Sequence, residues 1–142
     1  MTIARLIAGR SGEIFGCETA TTVREAVALL AQYRIGALPV LADGAIVGIF
    51  SERDLVNRLA ERGPALLDET VGAVMTAPVI SIDAATGVMD ALAIMTERRF
   101  RHLPVVEAGR MVAFVSIGDL VKYRIERIEA EAEAMRSYIQ TA

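Results

Sequence analysis

A single cysteine, a single histidine and no tryptophan among 142 residues remove several kinds of chemistry at the outset. One cysteine, Cys17, permits no internal disulfide, which suits a reducing compartment. Set just behind Ile14 and Phe15, it reads as an inert strand residue, since free cysteines are usually buried. His102 has no second histidine to work with, and no HExxH, GxSxG, CxxC or P-loop pattern occurs. Neither catalytic residues nor a metal site are expected. No stretch reaches the roughly 18 uncharged apolar residues a membrane helix needs. The first ten residues lack the apolar core and cleavage-like ending of a signal peptide. Basic residues are also scarce: 15 Lys and Arg against 18 Asp and Glu leave a net charge of −3, with no basic face for nucleic acid. These absences point to a cytoplasmic globular protein that is not an enzyme and has neither nucleic acid nor membrane as partner.

Apolar residues, by contrast, are abundant. They form 54% of the chain, with a mean hydropathy of +0.43. That surface requires a sheet buried on both faces or a subunit interface.

The chain also repeats itself. Ile35-Gly36-Ala37-Leu38-Pro39-Val40 matches Phe100-Arg101-His102-Leu103-Pro104-Val105, with the prolines 65 positions apart. The same offset pairs Thr21 with Thr86, Gly44 with Gly109, Ser51 with Ser116 and Asp54 with Asp119. The register slips by about three residues before Phe15, where the first copy has a longer Gly-Arg-Ser-Gly loop. Such regularity through helix, turn and strand marks an internal duplication.

Each copy reads as β-α-β-β-α, an α/β (α+β) fold. Short strands at Ile14–Cys17 and Val79–Ile82 lead into helices with apolar residues spaced three and four apart: Val23, Ala26, Val27, Leu30 and Val88, Ala91, Leu92, Met95. Strands Ala37–Leu41 and His102–Val106 join strands Ile46–Phe50 and Met111–Val115 through Asp43-Gly44 and Ala108-Gly109, a hairpin signal. Pro39 and Pro104 imply edge strands or the first residues of a strand. Units of roughly 60 residues bury too little surface alone, so the two are expected to pack about a pseudo-twofold axis. The domain reading is one module over 1–142, with repeats at 1–65 and 66–125 and a C-terminal helix over 119–140.

The recurring Ser51-Glu52-Arg53-Asp54 and Ser116-Ile117-Gly118-Asp119 have two readings. In one, the serine caps a helix and the aspartate completes a capping box. In the other, the helix N-terminus and serine hydroxyl hold a phosphate, and the carboxylate accepts two vicinal hydroxyls, as on a ribose. The motif alone does not choose between them.

Leu-Pro-Val, a glycine turn and Val-Gly-Ile-Phe-Ser-x-x-Asp-Leu, matched in the second copy by Leu-Pro-Val, a glycine turn and Val-Ala-Phe-Val-Ser-x-x-Asp-Leu, resemble the CBS domain, named after cystathionine β-synthase. The Val74-Met75-Thr76 lead-in resembles it too. The resemblance runs to about Arg127 and is strongest to small bacterial proteins made of a CBS pair plus a C-terminal helix. It implies a disc with two clefts that bind AMP, ADP, ATP, NAD(H) or S-adenosyl compounds, and a regulatory module acting on an unknown protein target. Carried over by position, it assigns ribose contacts to Asp54 and Asp119 and phosphate contacts to Ser51 and Ser116. Arg53, Arg99, Arg101 and His102 are further phosphate candidates, since guanidinium forks match phosphate oxygens. Gly36, Ala37, Gly16 and Ser81 are candidates for the base and its backbone contacts. The second copy has Arg101-His102 where the first has Gly36-Ala37, so the two clefts are expected to differ, and Ala113 in place of Gly48 is expected to narrow one of them. The competing expectation is a ligand-free interaction scaffold whose Ser-x-x-Asp motifs only cap helices.

Beyond Asp119 the chain reads as one long helix. Val121, Ile125, Ile128, Ala132, Met135 and Ile139 form a short heptad seam, opposite a solvated face of Glu126, Arg127, Glu129, Glu131, Glu133 and Arg136. The seam and the resemblance together imply a homodimer, through the helices of the repeats, the C-terminal helix, or both.

Overall fold

The computed structural model describes residues 1–10 and 14–141. Ser11 and Gly12 of the anticipated loop lie outside them. A short helix α1 (Ile3–Ile7) precedes the first repeat, which comprises β1 (Cys17–Glu18), α2 (Val23–Tyr33), β2 (Ala37–Ala42), β3 (Ala45–Ser51) and α3 (Glu52–Arg62). A 3-10 turn (Gly63–Asp68) and helix α4 (Val71–Val74) lead to α5 (Val88–Arg98), β4 (His102–Glu107), β5 (Arg110–Ser116) and α6 (Ile117–Thr141). The mixed α/β architecture and the long terminal helix match the sequence expectation.

Local chemistry sets most of these boundaries. Thr22 caps α2 reciprocally with Glu25. Both hairpins turn on two left-handed residues, Asp43 (φ 52) with Gly44 (φ 81) and Ala108 (φ 50) with Gly109 (φ 77). Such turns match the twist of the flanking strands.

Two features depart from expectation. Pro39 is not on an edge, because β2 is the middle strand of the β1-β2-β3 sheet. It is tolerated because its partner Ile49 turns its own N–H and C=O away, to Thr76. The Pro39 nitrogen therefore faces the β1 side, where pairing begins only at Val40. The anticipated strand Val79–Ile82 is likewise reduced to one bridge, Ile82 to Val105, and Ile14–Cys17 to the two-residue β1. A proline offers a carbonyl but no N–H, so the incoming strand can pair only from that carbonyl onward. Ile82 N–H donates to Pro104 O at 3.0 Å, and Val106 N–H donates back to Ile82 O at 2.8 Å.

The core has two clusters built on the duplicated positions: Cys17, Val23, Leu38 and Val40 in one, Ile82, Val88, Leu103 and Val105 in the other. Each is completed from the other side of the duplication. Ile3, which precedes the first repeat, is buried in the second cluster, while Val71 and Val74, which precede the second strand-helix unit, are buried in the first. The backbone bonds correspond one for one. Ile3 N–H donates to Thr86 O (2.9 Å) as Val71 N–H donates to Thr21 O (2.7 Å). Ala4 donates to Ala84 O (2.8 Å) as Gly72 donates to Thr19 O (3.0 Å). This reciprocal exchange is what a pseudo-twofold relation requires, and it locks the repeats face to face.

Candidate functional site

Both Ser-x-x-Asp segments are capping boxes. Asp54 N–H donates to Ser51 Oγ (3.2 Å), and Ser51 N–H donates to Asp54 Oδ2 (2.9 Å). Asp119 N–H donates to Ser116 Oγ (3.1 Å), and Ser116 N–H donates to Asp119 Oδ2 (2.8 Å). The boxes also sit on the walls of two clefts between the repeats, so the capping and binding readings occupy the same atoms.

The first cleft, about 280 Å³, places Ser51, Arg53 and Asp54 of the first repeat opposite Arg98, Arg99, Arg101 and His102 of the second. The helix start of one copy thus faces the strand start of the other. Thr76, Pro78, Val79 and Ile80 from the connector form a further wall. Thr76 Oγ1 donates to Asp54 Oδ1 at 2.8 Å, and Arg53 Nη1 reaches the Arg99 carbonyl at 3.4 Å. Arg99 caps α5 in the left-handed region (φ 58), as Arg34 caps α2 (φ 53). Arg53, Arg98, Arg99 and Arg101 thus line the same cleft as the acidic residues Glu52 and Asp54.

The second cleft, about 390 Å³, joins Ser116 and Asp119 to Arg34, Ile35 and the N-terminal Ile7 and Arg10. Arg10 pairs with Asp119 Oδ2 at 3.3 Å. Phe15 and Phe114 give this cleft aromatic walls that the equivalent positions of the first do not have.

Gly36, Ala37 and His102 line both clefts and form the wall between them. His102 stacks on Phe114, with ring centroids 5.4 Å apart. Burial holds its pKa below the usual histidine value, against the pull of the Asp119 and Glu52 carboxylates and with that of Arg101. At neutral pH it is an uncharged donor and acceptor, which removes it from the cationic set read from the sequence. Gly16 and Ser81 line neither cleft. A β-carbon at Gly16 would stand 3.0 Å from the Pro39 carbonyl, so that glycine serves the approach of β1 to β2. The adjacent Phe15 and Ile80 line the clefts instead. Gly48 has a packing reason too: its β-carbon would run into Met75 Sδ and stand 3.1 Å from the Thr76 carbonyl.

Thr76 and Arg10 are the residues sequence reasoning missed. The Val74-Met75-Thr76 lead-in was visible, but nothing local to it shows that it crosses to the first repeat. Cys17 is buried, with its thiol pushed up to about 11 by burial and by Glu18. Among the described residues there is no metal-ligand cluster, and no helix is long and apolar enough to cross a membrane.

Two duplicated β-α-β-β-α units exchanging their connectors across two clefts make the fold of a CBS-domain pair. The chain belongs to the CBS-domain family, which it matches at residues 12–61 and 71–126. The family is non-catalytic. A CBS-domain containing protein from Agrobacterium tumefaciens is similar at 37% identity with a TM-score of 0.83, over 87% of this chain and 99% of that one. CBSX2, whose structure is a complex with AMP, is 28% identical with a TM-score of 0.74, over 88% of this chain and 96% of that one. The mitochondrial CBS domain-containing protein CBSX3 of Arabidopsis thaliana is 34% identical over 134 residues, which is 91% of this chain; the chain spans 65% of that relative's length.

Proposed function

We propose that the chain is a sensor module that binds adenine nucleotides in its clefts, AMP foremost and ADP, ATP or NAD(H) as further ligands. Occupancy reaches a protein partner as a conformational change. The observation that carries this reading is the composition of the first cleft: a serine-capped helix start, an aspartate three residues in, and four arginines, Arg53, Arg98, Arg99 and Arg101, among the lining residues. Ser51 and the helix start hold phosphate, the arginines neutralise it, and Asp54 accepts from the ribose hydroxyls. Asp54 Oδ1 already accepts from Thr76 but has a second lone pair for this. His102 contributes as a neutral donor, and Gly36 and Ala37 leave room for the base. The relative CBSX2 binding AMP supports the choice of ligand. The second cleft, larger and with fewer cations, takes the same ligand or a bulkier one such as NAD(H), with Ser116 and Asp119 in the corresponding roles.

A second reading has its own support: in both boxes the serine and aspartate satisfy each other, as helix caps in a ligand-free scaffold would.

Thermal unfolding of ligand-stripped protein with AMP, ADP, ATP, NAD(H) and S-adenosylmethionine separates the two. A ligand at ~100 times its Kd stabilises by about 2.7 kcal/mol. The sensor reading expects that shift for an adenine nucleotide, and a smaller one in Arg101→Ala. No shift for any of them establishes the scaffold.

A further inference from the structure

Helix α6 leaves its own module behind. Of its 25 residues only Leu120 is buried, and from Ile128 to Thr141 every residue is exposed. Along the free side run Val121, Ile125, Ile128, Ala132, Met135 and Ile139, with exposures from 43% at Val121 to 68% at Ile139. Spacings of four and three residues place them on one stripe about 27 Å long. A helix that stays alone in water has no reason to keep such a stripe.

The charges beside the stripe identify what covers it. With Ile125, Ala132 and Ile139 at the a positions and Val121, Ile128 and Met135 at d, the flanking g positions include Arg124 and Glu131, and the e positions include Glu129 and Arg136. In a parallel pair, each g residue faces the e residue five places later on the other helix. Arg124 then meets the partner's Glu129, and Glu131 meets the partner's Arg136. Both pairs occur twice by symmetry, giving four attractions and no repulsion. An antiparallel pair can also match the stripe, Val121 to Ile139 and Ile125 to Met135. It sets Glu129 against Glu129, Glu131 against Glu131 and Lys122 against Arg136. Among the described residues Arg124, Glu129 and Glu131 have no ion pair within the chain, and that of Arg136, to Glu133, is surface-exposed.

We infer that α6 is a homodimerisation helix that pairs in parallel and in register with α6 of a second copy through the Val121–Ile139 stripe. Both modules then stand at the same end of a short two-stranded coil whose dyad runs along the helices. Two and a half heptads make a weak coil, so the dimer is concentration-dependent.

The test is Met135→Cys, oxidised mildly in the full chain. Parallel pairing brings the two new thiols within disulfide reach; antiparallel pairing holds the two α-carbons about 15 Å apart along the axis, beyond the roughly 7 Å limit. The wild type, whose one cysteine is the buried Cys17, is the blank. A disulfide-linked dimer is expected, and its absence at concentrations where sedimentation shows a dimer overturns the orientation. Sedimentation of Glu129→Arg with Glu131→Arg should show Kd raised about tenfold or more, since four pairs turn repulsive. Adding Arg124→Glu and Arg136→Glu should restore it. A mass of one copy at every concentration, or a Kd indifferent to these exposed charges, overturns the proposal.

Discussion

Thr76 donates its hydroxyl to Asp54 at 2.8 Å, whereas Asp119, the duplicate of Asp54, is met by the guanidinium of Arg10 at 3.3 Å. The same carboxylate in the same capping box is thus held by a neutral group in one cleft and by a cation in the other. Both partners come from connectors that cross between repeats.

Asp54→Ala therefore has two separable effects. Loss of the reciprocal cap costs about 1 kcal/mol of stability without any ligand. Under the proposed sensor function, in which Asp54 accepts from the ribose, the substitution is expected to remove most of an AMP-dependent rise in melting temperature. Thr76→Val keeps the cap and should weaken AMP by less than Asp54→Ala does. Calorimetric titration of both variants checks this; an AMP response equal to wild type in Asp54→Ala removes the carboxylate from the site.

His102 predicts an acid-sensitive stability. Burial lowers its pKa in the folded state below the unfolded value of 6.5. Below that pH the unfolded chain takes up a proton that the folded one resists. The contribution is thus fully present above about pH 6.5 and declines as pH falls toward the folded pKa. Urea unfolding at pH 7.5 and 5.5 should show a smaller loss in His102→Gln than in wild type. Equal losses would mean the imidazole titrates freely.

Gly48→Ala tests the docking of the connector on β3. The added β-carbon meets Met75, which can move, and the Thr76 carbonyl at 3.1 Å, which belongs to the bridge with Ile49. A destabilisation of about 1–3 kcal/mol in chemical unfolding is expected. The engineered alanine repeats what the second copy already has at Ala113, so an unchanged midpoint would show that the connector yields easily.

Cys17 should resist thiol reagents. With the thiol pushed up to about 11 and the side chain buried, almost no thiolate exists at pH 8. Ellman's reagent should label the native protein far more slowly than the urea-unfolded chain. Equal rates would mean that β1 opens readily.

Much of this protein is written locally. The duplication is read directly from residues that match 65 positions apart, while the helical spacing of Val23, Ala26 and Leu30, the Asp43-Gly44 turn and the Ser51–Asp54 cap rest on contacts within about four residues, and each is in the structure where the sequence put it. The strands proved shorter than the apolar runs implied, because Pro39 and Pro104 lack the N–H that would extend pairing toward the start of β1 and its counterpart. Many cleft residues were named from the family resemblance, but which of them share a cleft was not legible in the residues themselves. Arg99, Arg101 and His102 belong to one repeat in the sequence, yet they face Ser51 and Asp54 of the other, and Thr76 and Arg10 arrive from outside both motifs. The neutrality of His102 depends on a burial that no neighbour in sequence supplies. Local hydrogen bonds and turn geometry were determined by the sequence alone. The sharing of each cleft between two repeats was decided by tertiary packing, because Ile3 and Val71 find their apolar partners only in the core of the opposite copy.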